Sequence, residues 1–329
     1  MLIQPLVSVI MPVYNTDKFI ANALDSILKQ TYSNLQILIS DDGSSDKSKE
    51  IINSYIDKRI QFIHNDRNIG YLKTCNKLFE FVKGEFIAFQ DSDDWSYPTR
   101  IEKIMDVLLN DNEIALCGCN FIRIDKANNK VITISDYPTT DYFIKEYIDV
   151  HKELPFCGAS VILRKNVYNE IGGYKLFYDR LGYEDSDWFL RINERFKTAN
   201  ISLPLYVYNY FPNSVSRSEI LNNYKKFYIK DIAWFLKNQR MKYGEDALEN
   251  NNYLNEFQDY LEYLRKSFMK NRYFVYKKVI YNHLSNQNTS FASEILKEGI
   301  LKKELKFLQF CYLKYRIFRT KIKIILKRK

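Results

Sequence analysis

The stretch Phe86-Ile-Ala-Phe-Gln-Asp91-Ser-Asp93-Asp94 decides how this chain is read. Its bounded apolar run predicts a short buried strand. The polar residues that follow then stand at the rim of a sheet, with Asp91 and Asp93 two positions apart. Hard cations such as Mg²⁺ and Mn²⁺ take oxygen ligands, and Mg²⁺ is commonly held by one or two carboxylates plus substrate phosphates. Asp serves equally well in a solvated turn or as a helix cap, here ahead of Pro98, so the segment alone leaves both uses open.

On either side, strand and helix signals alternate. Residues 6–13 are a β-rich apolar run closed by Pro12 and Tyr14-Asn15. Asp17 is placed to cap a helix over 18–30, in which Phe19, Ile20, Ala23, Leu24, Ile27 and Leu28 share one face. A second strand over 35–40 ends in Asp41-Asp42-Gly43-Ser44-Ser45-Asp46. A helix (47–55), a strand (60–64) and a helix (71–82) lead to the strand at Phe86. This order predicts an α/β fold with a mainly parallel sheet covered by helices on both faces. Ligands bind such sheets beyond the carboxyl ends of the strands. Tyr14, Asp41/Asp42 and Asp91/Asp93 are therefore expected to converge on one crevice.

Further along, the pattern predicts a helix over 98–109, strands over 114–124 and 131–134, and a strand candidate over 157–163. A helix over 185–195 follows, with Trp188 and Phe189 packed inward. From Glu219 onward Gly becomes scarce and Lys, Tyr, Phe, Leu and Asn dominate. The expected division is an α/β domain over 1–218 and a helical basic region over 219–329.

Apolar content of 46% suits an ordinary globular core. No apolar run approaches the roughly 18 residues of a membrane span. The N-terminus lacks the basic region of a signal peptide. Five cysteines without a CxxC pair fit a reduced, cytoplasmic setting. His64, His151 and His283 have no Cys or His neighbours at zinc-ligand spacing. The net charge of +9 is unevenly spread: residues 301–329 hold 11 Lys or Arg against the single Glu304, a net +10, which leaves residues 1–300 at −1.

The order of motifs resembles an inverting family 2 glycosyltransferase of the GT-A fold, which implies a mixed, mainly parallel sheet flanked by helices, here followed by a helical C-terminal extension. The resemblance is carried by Val7-Ser-Val-Ile-Met-Pro-Val-Tyr-Asn15, Asp41-Asp-Gly-Ser-Ser-Asp46, Asn68-Ile-Gly70 with Asn76, and Gly84 to Asp94. Pro155-Phe-Cys-Gly-Ala-Ser160, Gly172-Gly173 and Glu184-Asp185 continue the same order, so it covers roughly residues 6 to 217. It implies a transferase moving a sugar from a UDP-sugar to a saccharide or lipid-linked acceptor, in synthesis of a capsule, lipopolysaccharide or exopolysaccharide. It implies that Pro12, Tyr14 and Asn15 line the nucleotide pocket, with Tyr14 stacked on uracil. Asp42 would accept from uracil N3–H, with Asp41 beside it. Asp93 would ligate Mn²⁺ or Mg²⁺, and Asp91 would sit by the ribose and the metal. Asp185 would be the general base, with Glu184 in support. Arg67 and Lys73 flank the region and could reach phosphate.

There are departures from the family pattern: the Gln-x-x-Arg-Trp motif of processive synthases is absent, which favours a single-addition enzyme, and a late cluster differs. Many relatives carry a Tyr-Arg-x-His-Pro-x-Ser pattern where this chain reads Tyr208-Asn-Tyr-Phe-Pro-Asn-Ser214. Asn209 stands in the Arg position and Phe211 in the His position, so a third protein ligand for the metal is in question. Two other readings remain: an inactive carbohydrate- or membrane-binding relative, and a sugar-nucleotide nucleotidyltransferase. The latter would want a Gly-rich loop after the first strand, where Pro12-Val-Tyr-Asn15 has no glycine. The basic, aromatic-rich tail over 301–329 suits an anionic membrane surface on the cytoplasmic side, or a helix packed on the protein with a solvated basic face. Nothing matches a nucleic-acid reader motif, so no nucleic-acid partner is expected.

Overall fold

The computed structural model describes residues 4–126, 128–211, 220–285 and 288–326. The chain divides into two compact units, Met1–Tyr210 and Phe211–Lys329. The expected boundary at residue 218 lies outside the described residues.

The first unit is built on strands β1 (Val7–Val13), β2 (Leu35–Asp41), β3 (Ile60–His64), β4 (Phe86–Phe89), β5 (Trp95–Ser96), β6 (Ile114–Asp125), β7 (Lys130–Ile134), β8 (Ile162–Arg164) and β9 (Lys197–Tyr210). They form one sheet in the order β3-β2-β1-β4-β8-β6-β9-β5, with β7 paired to β6. The N-terminal part, β3-β2-β1-β4, is parallel. Beyond it β8 runs antiparallel to both β4 and β6, and β5 antiparallel to β9, while β6 and β9 are parallel. The sheet is thus more evenly mixed than strand–helix alternation suggests.

Among the described residues, seven α-helices flank this sheet: α1 (Ile20–Leu28), α2 (Ser48–Asn53), α3 (Tyr71–Phe79), α4 (Arg100–Asn110), α5 (Asp141–His151), α6 (Lys165–Ile171) and α7 (Glu184–Arg195). All seven residues of β1 are buried because helices cover both faces. Val7, Val9, Met11 and Val13 share a core with Ile20, Ala23, Leu24 and Ile27 of α1 and Ile101, Ile104, Met105 and Leu108 of α4. An aromatic cluster joins β4 to α3 and α7: Phe89 meets Phe79 at 6.0 Å and Trp188 at 5.6 Å between ring centroids. Asp17 does not cap α1: its backbone N–H donates to Asp46 instead, and the helix begins at Ile20. The strand candidate over 157–163 resolves into a 3₁₀ turn (Gly158–Ser160) followed by β8.

The second unit contains helices α8 (Tyr224–Phe227), α9 (Ile229–Tyr243), α10 (Leu254–Lys270), α11 (Arg272–Ser285), α12 (Thr289–Leu301) and α13 (Phe307–Leu326). Its core joins Val275, Tyr276 and Ile280 of α11 to Ala292 and Ile295 of α12 and Leu313 and Ile317 of α13. Arg272 grips the Glu304 carboxylate through two nitrogens, at 3.0 and 3.1 Å. Among the described residues no helix is long and apolar enough to cross a membrane.

Candidate active site

The parallel strands end on the same side of the sheet, and three of those ends carry the expected residues. After β1 the chain turns sharply at Asn15, whose φ is +51°. This turn is pinned to the segment after β2: Ser44 Oγ accepts from the Asn15 N–H at 2.9 Å, and Asn15 Oδ1 accepts from the Ser45 N–H at 2.9 Å. Pro12 is buried within β1, whereas the Tyr14 ring stands 48% exposed, available for stacking.

Asp41 and Asp42 are both buried, yet their carboxylates have different surroundings. Asp42 accepts from Asn65 Nδ2 (2.9 Å) and the Ile69 N–H (2.8 Å) on one oxygen, and from the Gly70 N–H (2.9 Å) on the other. It therefore fastens the 65–70 loop and the start of α3. Asp41 Oδ2 faces His64 Nδ1 at 3.2 Å and the Ser44 N–H at 3.3 Å, while its Oδ1 is buried without a hydrogen-bond partner among the described residues. Arg67 is exposed on that loop. Lys73 forms an ion pair with Asp179, so its ammonium already has a carboxylate partner.

The end of β4 presents the acidic stretch. Asp94 points back into the fold, where its carboxylate accepts from Tyr206 Oη (2.8 Å) and the Asn209 N–H (2.7 Å). The Asn209 amide also donates to the Asp93 main-chain carbonyl. Asn209, in the expected Arg position, thus clamps the Asp93-Asp94 turn from β9. With Asp94 held inward, Asp91 and Asp93 are left half-buried at the rim. Tyr71, the first residue of α3, donates to Asp91 Oδ1 at 3.3 Å. The Asp91 carboxyl is pushed up to about 7, chiefly by burial, then by the charges of Asp93 and Asp185, with the Tyr71 hydroxyl acting the other way. Burial also raises Asp93.

Glu184 and Asp185 open α7 and reach the same cluster. Glu184 is raised to about 7 by burial and then by Asp185 beside it. Burial raises Asp185 too, opposed by the N–H and hydroxyl of Ser186, which donate to its Oδ1 at 2.6 and 3.2 Å. The other Asp185 oxygen lies against Gly158, where an added Cβ would come within 2.6 Å of it. Asp187 faces the core instead, accepting from Arg191 Nε (3.0 Å) and Tyr178 Oη (3.1 Å).

Four half-buried carboxylates, Asp91, Asp93, Glu184 and Asp185, therefore share one region, and among the described residues none has a basic partner. Among the described residues no three His, Cys, Asp or Glu side chains are arranged to hold a metal ion. Phe211 lies in the second unit, and Pro212 to Ser214 of the departing motif lie outside the described residues. Sequence reasoning leaves Tyr71, Tyr206 and His64 out of the site, and it names Asn209 only as a departure from the family pattern. Tyr71 carried a signal, since it directly follows Asn68-Ile-Gly70. The other three depend on strand pairings.

Residues 8–172 match the model of Glycosyl transferase family 2. The chain is 31% identical over 206 residues to the putative glycosyltransferase EpsE of Bacillus subtilis, covering 61% of this chain and 72% of that one. It is 30% identical over 270 residues to the putative glycosyltransferase EpsH of the same organism, covering 78% and 73%. Among solved structures, S. aureus TarS in complex with UDP-GlcNAc aligns over 69% of this chain and 66% of its own, with TM-score 0.52 and 19% identity. The mannosyltransferase PcManGT from Pyrobaculum calidifontis, in complex with GDP-Man and Mn²⁺, aligns over 100% and 89%, with TM-score 0.53 and 14% identity. The fold is of the same GT-A type.

Proposed function

Because this chain belongs to glycosyl transferase family 2, we propose that it transfers a sugar, with inversion, from a UDP-sugar to a saccharide or lipid-linked acceptor in surface polysaccharide synthesis. The observation that carries this reading is the convergence of Asp91/Asp93 from β4 with Glu184/Asp185 from α7, all raised by burial. The nucleotide belongs beside Tyr14, Asn15 and the Asp41 strand end. Of the two neighbouring aspartates, Asp41 is the better acceptor for a base N–H. Its Oδ1 is buried and unpartnered, whereas Asp42 is already engaged by three donors.

Asp91 and Asp93 suit a divalent cation. Two adjacent carboxylates without a cationic partner are costly to keep ionised, and with a diphosphate they supply the oxygen donors Mg²⁺ or Mn²⁺ takes. Bound there, the ion would neutralise charge on the departing nucleoside diphosphate. The acceptor hydroxyl oxygen bonds to the anomeric carbon as the bond to the diphosphate oxygen breaks, which inverts the centre. Asp185 takes the hydroxyl proton, and its raised carboxyl brings its basicity closer to that task. Glu184, raised to about 7, is partly protonated near neutrality and can donate to an acceptor oxygen. Arg67, exposed on the 65–70 loop, is a cation of this region able to meet phosphate. The net +10 segment 301–329 suits work at an anionic membrane surface, where a lipid-linked acceptor would be presented.

Isothermal titration of UDP, and of GDP for comparison, into the purified chain with Mn²⁺ and then with excess chelator tests the donor site. Metal-dependent binding that favours UDP is expected. Absence of UDP binding under both conditions would remove the UDP-sugar reading.

A further inference from the structure

Helix α13 buries one stripe and exposes another. Leu313 and Ile317 are buried in the core of the second unit, with Phe310 packed against them. At 100° per residue, Phe307, Leu308, Cys311, Tyr315, Phe318 and Ile322 fall within an arc of about 100° on the opposite side. They are exposed, Phe307 at 75%, Leu308 at 80% and Phe318 at 60%. Lys314 and Lys321 border this stripe on one side, and Arg319 and Lys323 on the other, all four exposed. A helix packed merely for stability would present a polar outer face. Here the outer face is apolar at its centre and cationic along both margins, and α13 contains no acidic residue.

We propose that this outer face of α13 lies in the plane of an anionic lipid bilayer. Phe307, Leu308, Tyr315, Phe318 and Ile322 enter the headgroup boundary while Lys314, Arg319, Lys321 and Lys323 meet lipid phosphates. Charge complementarity selects this occupant: the segment carries a net +10, and each cation near an anionic surface adds to the attraction. The proposal rests on the membrane placement offered above and is independent of the transfer chemistry.

The test is flotation of the full chain with phosphatidylcholine vesicles, with and without phosphatidylglycerol. Expected is flotation with the anionic vesicles only, weakened about tenfold or more by Phe318→Ser with Ile322→Ser. A Phe318→Trp variant keeps the stripe apolar, and its emission should shift to the blue with anionic vesicles alone. Flotation unchanged in the serine variant with no shift in the tryptophan variant would mean attraction by charge alone and overturn insertion. Absence of flotation, or a self-associated chain that the serine substitutions convert to monomer, would overturn the bilayer as occupant. UDP titration of the same samples separates the two readings: a chain that floats without binding UDP loses only the donor assignment, and one that binds UDP without floating loses only this one.

Discussion

Asp91 and Glu184 both carry folded-state carboxyls at about 7, above their values in an unfolded chain. Between those limits the folded protein holds more protons than the unfolded one. Their contribution to stability is thus fully present below the unfolded values and is lost as pH rises through about 7. Asp91→Asn should consequently raise stability by about 1–3 kcal/mol at pH 8, and by much less at pH 5, as read from denaturant midpoints. An equal gain at both pH values would remove the electrostatic account. Asp185→Asn keeps the size of the side chain but cannot take a proton. It should bind UDP like the parent and lower transfer about 100-fold or more; parent-like transfer would exclude Asp185 as the base. These acids were legible because short acidic motifs stood at the ends of apolar runs. The division of labour between Asp41 and Asp42 was not, since adjacent residues of one type are told apart only by what surrounds them.

The elements that aim these side chains are less visible in one dimension. Strand β9 is not legible in the sequence, because Pro204 and polar Asn200 and Ser202 interrupt its apolar pattern. Yet β9 supplies Tyr206 and Asn209, which hold Asp94 inward and so leave Asp91 and Asp93 at the rim. The 65–70 loop depends on Asp42 in the same way. Asp42→Ala would leave two backbone N–H groups and the Asn65 amide short of an acceptor, and should cost about 3 kcal/mol in equilibrium unfolding. A loss below about 0.5 kcal/mol would show the loop to be held otherwise. The 3₁₀ turn at Gly158 is the backstop of the Asp185 carboxylate. Gly158→Ala places a methyl group 2.6 Å from where Asp185 Oδ2 sits, so transfer should fall about tenfold or more with UDP binding intact. Unchanged transfer would mean that Asp185 tolerates displacement.

At the scale of the molecule, binding of a nucleotide and a cation should register as stability. UDP with Mn²⁺ at about 100 times its dissociation constant should stabilise the unit that binds it by about 2.7 kcal/mol. Scanning calorimetry should show the midpoint rise, and chelator should return it; a rise that persists in chelator would detach the nucleotide site from Asp91 and Asp93. The sequence by itself determined the alternation of strand and helix, the strand-end acids and the basic C-terminal segment. Each of these is written in local periodicity and local charge. Only the tertiary structure decided which strands of the mixed sheet run antiparallel, that Asp42 serves the loop while Asp41 keeps a buried free oxygen, and that α13 has two apolar faces rather than one. Those outcomes depend on which residues, distant along the chain, meet in space and which remain facing solvent. Periodicity can mark a residue as apolar, but the partner that buries it is chosen by packing.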